Sequence, residues 1–97
     1  MVERHPDGSQ AFLPMHRNPW LVIVAEASAG AEPGEISAFL AAPGQGINLY
    51  RGTWHGVLTP LHAPGMFAVI DRIGGTPNLE EHWLEMPVTI TAPRAPA

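Results

Sequence analysis

Short apolar segments run the length of the chain, separated by Gly, Pro, Asn or Asp about every eight to twelve residues, the spacing of antiparallel strands in a sandwich or small barrel. The pattern predicts a mostly β protein. Ala11-Phe12-Leu13 reads as a short first strand closed by Pro14. Trp20-Leu21-Val22-Ile23-Val24-Ala25 is β-branched and apolar on both faces, which predicts a central strand. Glu35-Ile36-Ser37-Ala38-Phe39-Leu40-Ala41 alternates in part and is read as a strand, although its Ala and Leu would also suit two turns of helix. After a tight turn at Pro43-Gly44-Gln45-Gly46, strands are expected at 47–50, 54–58 and 66–70. Residues 79–84 alternate in part, 88–91 (Val-Thr-Ile-Thr) are strand-like, and 92–97 read as a frayed tail. About seven short strands are few for a closed barrel, so an open edge or a partner chain is expected.

Composition narrows the class. Ninety-seven residues suffice for one domain, 1–97, and an apolar fraction of 45% against 14% charged excludes a disordered chain. Ten Gly and eleven Pro punctuate any long helix. Five Arg and no Lys against nine acidic residues give a net charge of −4, so no basic stripe offers itself to nucleic acid or to an anionic membrane surface. With no cysteine there is neither a disulfide framework nor a thiolate metal site, and no apolar run approaches the roughly 20 residues of a membrane span. A soluble, cytoplasmic protein is expected, and the N-terminus has no signal-peptide pattern.

Polar residues stand out in two clusters, Glu3, Arg4, His5 and Gln10 near the start and Asn48, Tyr50, Arg51 and His55 in the middle. Side chains two apart on a strand share a face, so if the first stretch is a strand Glu3 and His5 look inward together, as would Asn48 and Tyr50, around one site. Gly52 bends the chain before His55. Trp54 is weighed evenly between core and pocket wall, while Trp20 and Trp83 read as core or contact aromatics. Asp71 and Arg72 are adjacent and point to opposite faces, so at most one can share a cavity with His55. They also read as a plain ion pair or turn cap, and Glu80-Glu81 as a solvated face. His16 and His62 sit beside turn residues without polar neighbours and are set aside as structural.

Three stretches carry a family resemblance. Glu3-Arg4-His5-Pro6 with Ser9-Gln10-Ala11-Phe12-Leu13-Pro14-Met15 is the first, and Pro43-Gly44-Gln45-Gly46-Ile47-Asn48-Leu49-Tyr50-Arg51-Gly52-Thr53-Trp54-His55 the second. Phe67-Ala68-Val69-Ile70-Asp71-Arg72 with Asn78-Leu79-Glu80-Glu81-His82-Trp83 is the third. In order from Glu3 to about Ile90, the chain resembles the ureidoglycolate lyases, cupins of allantoin catabolism. The resemblance implies an all-β, cupin-like double-stranded β-helix (a jelly-roll barrel), dimeric, that cleaves ureidoglycolate to glyoxylate and urea. It also implies that this chain is N-terminally truncated, since relatives carry a further portion ahead of Glu3. Where many relatives have two more histidines, this sequence has Tyr50 and Gly56.

In that frame His55 is expected as acid/base, His5 as its partner or a metal ligand, and Arg51 or Arg72 as the carboxylate clamp. Gln10, Asn48 and Tyr50 would hold the hydroxyl or ureido group, with Trp54 lining the pocket. Glu3, His5, Gln10 and His55 resemble cupin ligand positions for a divalent metal such as nickel or manganese. Two other readings stand beside the lyase: a non-catalytic cupin remnant that binds a small carboxylate or pairs with a partner chain, and an amidohydrolase that releases ammonia from the same substrate.

Overall fold

A computed structural model describes residues 1–91. These residues form nine strands and no helix: β1 (Val2–Arg4), β2 (Gln10–Pro14), β3 (Trp20–Ala25), β4 (Ile36–Ala41), β5 (Ile47–Leu49), β6 (Trp54–His55), β7 (Thr59–Pro60), β8 (Phe67–Asp71) and β9 (Glu80–His82). They make two antiparallel sheets, the larger in the order β4-β3-β6-β1-β9 with β7 also alongside β3, the smaller in the order β5-β2-β8. This is an all-β, cupin-like jelly-roll sandwich. β4 and β9 end the larger sheet and β5 and β8 the smaller, so among the described residues the sandwich keeps open edges.

β3 is the central strand that its apolar sequence predicts. It pairs along its whole length with β4, from Trp20 opposite Ala41 to Ala25 opposite Ile36, and on its other side with β6 and β7. The same pairing settles β4 as a strand, since a full ladder outweighs the mild helix preference of Ala and Leu. Of the strand expected over 54–58 only Trp54–His55 (β6) forms, and a second short strand, β7, follows it at Thr59–Pro60. Between them Gly56 still donates its N–H to the Ile23 carbonyl at 2.9 Å, and a Cβ at Gly56 would stand 3.1 Å from Ile23 Cβ, closer than side chains ordinarily pack.

Two expectations need correction. Residues 88–91 form no strand despite their β-branched composition: no strand pairs with them, and Val88 and Ile90 instead border an open apolar pocket of ≈160 Å³ with Val2, Ile23 and Ile36. Of 79–84 only Glu80–His82 is extended and paired. The tail read over 92–97 lies outside the described residues.

Register fixes which side chains face the space between the sheets. Phe12, Trp20, Ala41 and Leu49 are buried there with Val22, Val24, Ile47, Leu58 and Phe67 packed against them, and the Phe67 ring meets the Trp20 indole edge-on at 4.9 Å. A second cluster of Val2, Ala25 and Trp54, with Ile36, lies on the opposite face of the larger sheet.

Candidate active site

β1 lies inside the larger sheet, paired with β6 on one side and β9 on the other, and Glu3 stands directly opposite His55. Val24 of β3 is the other cross-strand neighbour of His55, so Glu3, His55 and Val24 share the inner face. His5, two residues beyond Glu3, brings its ring to 5.2 Å from that of His55. One ligand atom from each of Glu3, His5 and His55 lies within 4.8 Å of the others. Phe12 completes this wall, its ring 6.0 Å from His55 and nearly perpendicular to it.

Both imidazoles are held in one tautomer by main-chain carbonyls. His5 Nδ1 is 2.8 Å from the Asn78 oxygen and His55 Nδ1 is 2.9 Å from the Gly56 oxygen. A carbonyl only accepts, so each Nδ1 carries a proton, and in the neutral ring each Nε2 presents a lone pair. Those two Nε2 atoms are buried without a hydrogen-bond partner among the described residues. His55 is 3% exposed, and burial pushes its imidazole below the usual histidine value; the Gly56 carbonyl, Glu3 and Asp71 oppose the shift and His5 adds to it. The result is a neutral base next to a carboxylate.

Two unprotonated imidazole nitrogens and a carboxylate also make a mixed N/O donor set of the kind that suits nickel, manganese or similar divalent ions. The orphaned Nε2 atoms fit such an ion, which would supply the partner that buried polar atoms ordinarily have.

Comparison with known proteins points to one family. The family model described as ureidoglycolate lyase matches residues 1–91. The chain belongs to the ureidoglycolate lyase family. It is 56% identical over 90 residues to ureidoglycolate lyase 2 of Rhizobium meliloti (strain 1021), covering 93% of this chain and 55% of that protein. Ureidoglycolate lyase of Rhodobacter capsulatus gives the same identity and coverage, and that of Mesorhizobium japonicum is 58% identical over 82 residues, 84% of this chain and 49% of the relative. The chain thus spans about half the length of the curated relatives it matches.

Within this member of the ureidoglycolate lyase family, the structure brings together Glu3, His5 and His55, with Gln10 buried on the facing wall. Gln10 lies opposite Leu49 and Asp71, on the same inner face of β2 as Phe12, and its Nε2 donates to Asp71 Oδ1 at 2.8 Å. Asn48 and Tyr50 do share a face, but it is the outer one. Apolar Ile47 and Leu49 take the inner positions opposite Phe12 and Gln10, leaving Tyr50 80% exposed. Trp54 is likewise on the far face from His55, packed with Val2 and Ala25 under the Arg4 guanidinium, 4.5 Å from the ring. It is core, not pocket wall.

Arg51 is exposed in a turn held against His5, since Gly52 N donates to the His5 carbonyl at 2.9 Å. Gly52 suits that turn because its φ is +81°, a region that side chains disfavour. Arg72 comes directly after β8, where it donates to Thr76 Oγ1 at 3.2 Å, and Thr76 in turn donates to Asp7 Oδ2. It is therefore engaged in tying two loops together.

The sequence pattern left three contributors to this site unassigned: the carbonyls of Asn78 and Gly56, and Asp71. Carbonyls leave no residue-type signal. Asp71 did leave one, because it continues the inward parity of Phe67 and Val69 on β8.

Proposed function

We propose that this chain is the catalytic part of a lyase that cleaves ureidoglycolate to glyoxylate and urea in allantoin and purine catabolism. The observation that carries the reading is the convergence of two unprotonated, buried imidazole nitrogens and a carboxylate in a member of the ureidoglycolate lyase family. Ureidoglycolate is a carbinolamide. Its cleavage needs a base to take the hydroxyl proton, the C–N bond then breaks as the C=O forms, and the departing urea nitrogen takes a proton. His55, neutral and with a free Nε2, is suited to remove that proton and return it to nitrogen, with His5 beside it and Glu3 favouring the transient imidazolium. Arg51, on the turn bonded to His5, would hold the substrate carboxylate. Gln10 would hold the ureido group.

His5, His55 and Glu3, with Gln10 nearby, are also the residues that would hold a divalent metal. Such an ion would supply Lewis-acid polarisation of the substrate oxygen. We further propose that residues 1–97 form one cupin-like domain, partial relative to its longer relatives, acting on a small molecule as a cytoplasmic homodimer. The exposed apolar residues Leu13 and Ile70 on the outer face of the smaller sheet support self-association, and the net charge of −4 argues against a nucleic-acid partner.

The test is to incubate the purified chain with ureidoglycolate, with and without added nickel or manganese, following glyoxylate, urea and ammonia against spontaneous decay. Equal release of glyoxylate and urea above that background supports the lyase. Ammonia in place of urea indicates an amidohydrolase, and no release from folded chain indicates a binding remnant.

A further inference from the structure

Gln10 is 7% exposed, and its two amide ends have different surroundings. The nitrogen end donates to Asp71 Oδ1 at 2.8 Å, whereas Oε1 is buried without a partner among the described residues. The orientation follows from chemistry. An ionised carboxylate only accepts hydrogen bonds, so the amide must turn its NH₂ toward Asp71 and its oxygen away. Gln10 and Asp71 are a directly opposed pair on the inner face of β2 and β8. That face also carries Phe12, which packs against the His55 ring. Gln10, two residues before Phe12 on that face, therefore lines the wall that faces the imidazole pair.

A fourth orphaned atom, His16 Nε2, is elsewhere: that ring packs edge-on against Phe67 and its other nitrogen accepts from Asn18 N. The remaining three, His5 Nε2, His55 Nε2 and Gln10 Oε1, are all acceptors once the tautomers and the amide orientation are fixed, and Glu3 adds a carboxylate. A site of acceptors selects a ligand rich in N–H donors, which the terminal NH₂ of a ureido group is.

We propose that Asp71 is a positioning residue that locks the Gln10 amide with its oxygen toward the site, so that Gln10 accepts a hydrogen bond from the terminal ureido NH₂ of the substrate. This rests on the lyase reading for the identity of the substrate, but the amide lock itself does not. Without the carboxylate, either end of the amide can face the site, and a misoriented NH₂ would meet the substrate's own NH₂ donor to donor.

The experiment uses the 97-residue chain and two uncleavable probes. Ureidoacetate keeps the carboxylate and ureido group but lacks the hydroxyl, and N-acetylglycine carries a methyl where ureidoacetate has its terminal NH₂. Wild type is expected to bind ureidoacetate at least about tenfold more tightly, because the methyl leaves a buried acceptor unsatisfied. Asp71→Asn, near-isosteric but able to donate or accept, should bring that preference to within about threefold by weakening ureidoacetate alone, and Asp71→Glu should restore part of it. In NMR spectra without ligand, the downfield Gln10 side-chain N–H of wild type should be lost in Asp71→Asn, with circular dichroism and melting confirming the fold.

Equal binding of the two probes to wild type, or an undiminished preference in folded Asp71→Asn, overturns the proposal. So does a fall in nickel affinity as large as the fall in ureidoacetate affinity, which would make Oε1 a metal ligand. If wild type prefers ureidoacetate yet releases no glyoxylate and urea from ureidoglycolate, the lyase reading falls and the lock stands. Turnover without that preference does the reverse.

Discussion

His55 carries the most chemistry of any single residue here, and its environment makes its effects separable. Replacement by Ala should cost at least about 100-fold in kcat, the lower range for a positioned acid or base, with the fold checked by circular dichroism. Its pH signature has a definite sign. The unfolded histidine titrates near about 6.5, and the folded one lower because burial disfavours the cation. Above the unfolded value both states are neutral and stability is unaffected. As pH falls below it, toward the lowered folded value, the unfolded chain takes up a proton that the folded chain refuses, and stability drops. In metal-free protein, urea denaturation should therefore show stability declining more steeply below pH ~6.5 in wild type than in His55→Gln. Equal slopes would remove His55 as the source. That Glu3 and His5 share a face was legible from alternation, because they are two apart; that His55 joins them follows from the pairing of β1 with β6, which alternation does not encode. The same rule misplaced Asn48 and Tyr50, since period two separates two faces without saying which is inside; the apolar pair Ile47 and Leu49 decides that.

At the scale of strands, legibility followed length and apolar content. β3 and β8 are runs that could hardly be anything else, and β4 was resolved from helix by its ladder with β3. β1 was seen only conditionally. Its sequence, Val2-Glu3-Arg4, has little local preference for a strand, and it is extended because two neighbours pair with it. Residues 88–91 show the converse, strand-like composition with no ladder. β2 is the strand on which both the core and the facing wall of the site depend, since Phe12 and Gln10 sit on its inner face. Phe12→Ala should cost about 3–5 kcal/mol, a large share of the roughly 5–15 kcal/mol of a typical domain, and should show as a markedly lower urea midpoint. The Arg4–Glu80 ion pair joins β1 to β9 at 2.6 Å but is partly exposed, so Glu80→Gln should change stability by no more than about 1 kcal/mol.

Taken together, the described residues have a small core, open sheet edges and exposed apolar residues on the outer face of the smaller sheet, where Leu13 is 43% and Ile70 59% exposed. Buried between two protomers, these would be core; in a monomer they are a solubility cost. Sedimentation equilibrium should show a dimer that Ile70→Lys weakens by at least about tenfold, the effect of placing an unpaired charge in an apolar contact. A concentration-independent monomer would refute the homodimer. The fold class was legible because turn spacing reports a sandwich directly, whereas edges and outer faces depend on what pairs with what, which local sequence does not encode. The position of β1 has one more consequence. Its hydrogen-bonding neighbours are β6 and β9, and the proton on His5 is held by a carbonyl 73 residues further along the chain. No local stretch can make the two-imidazole cluster, because it forms only when distant parts of the chain have closed on each other. Metal uptake or a histidine signal from this pair would therefore appear only once β1 has docked between β6 and β9, as a gauge of that closure. By mass action, an ion bound there would stabilise every strand at once.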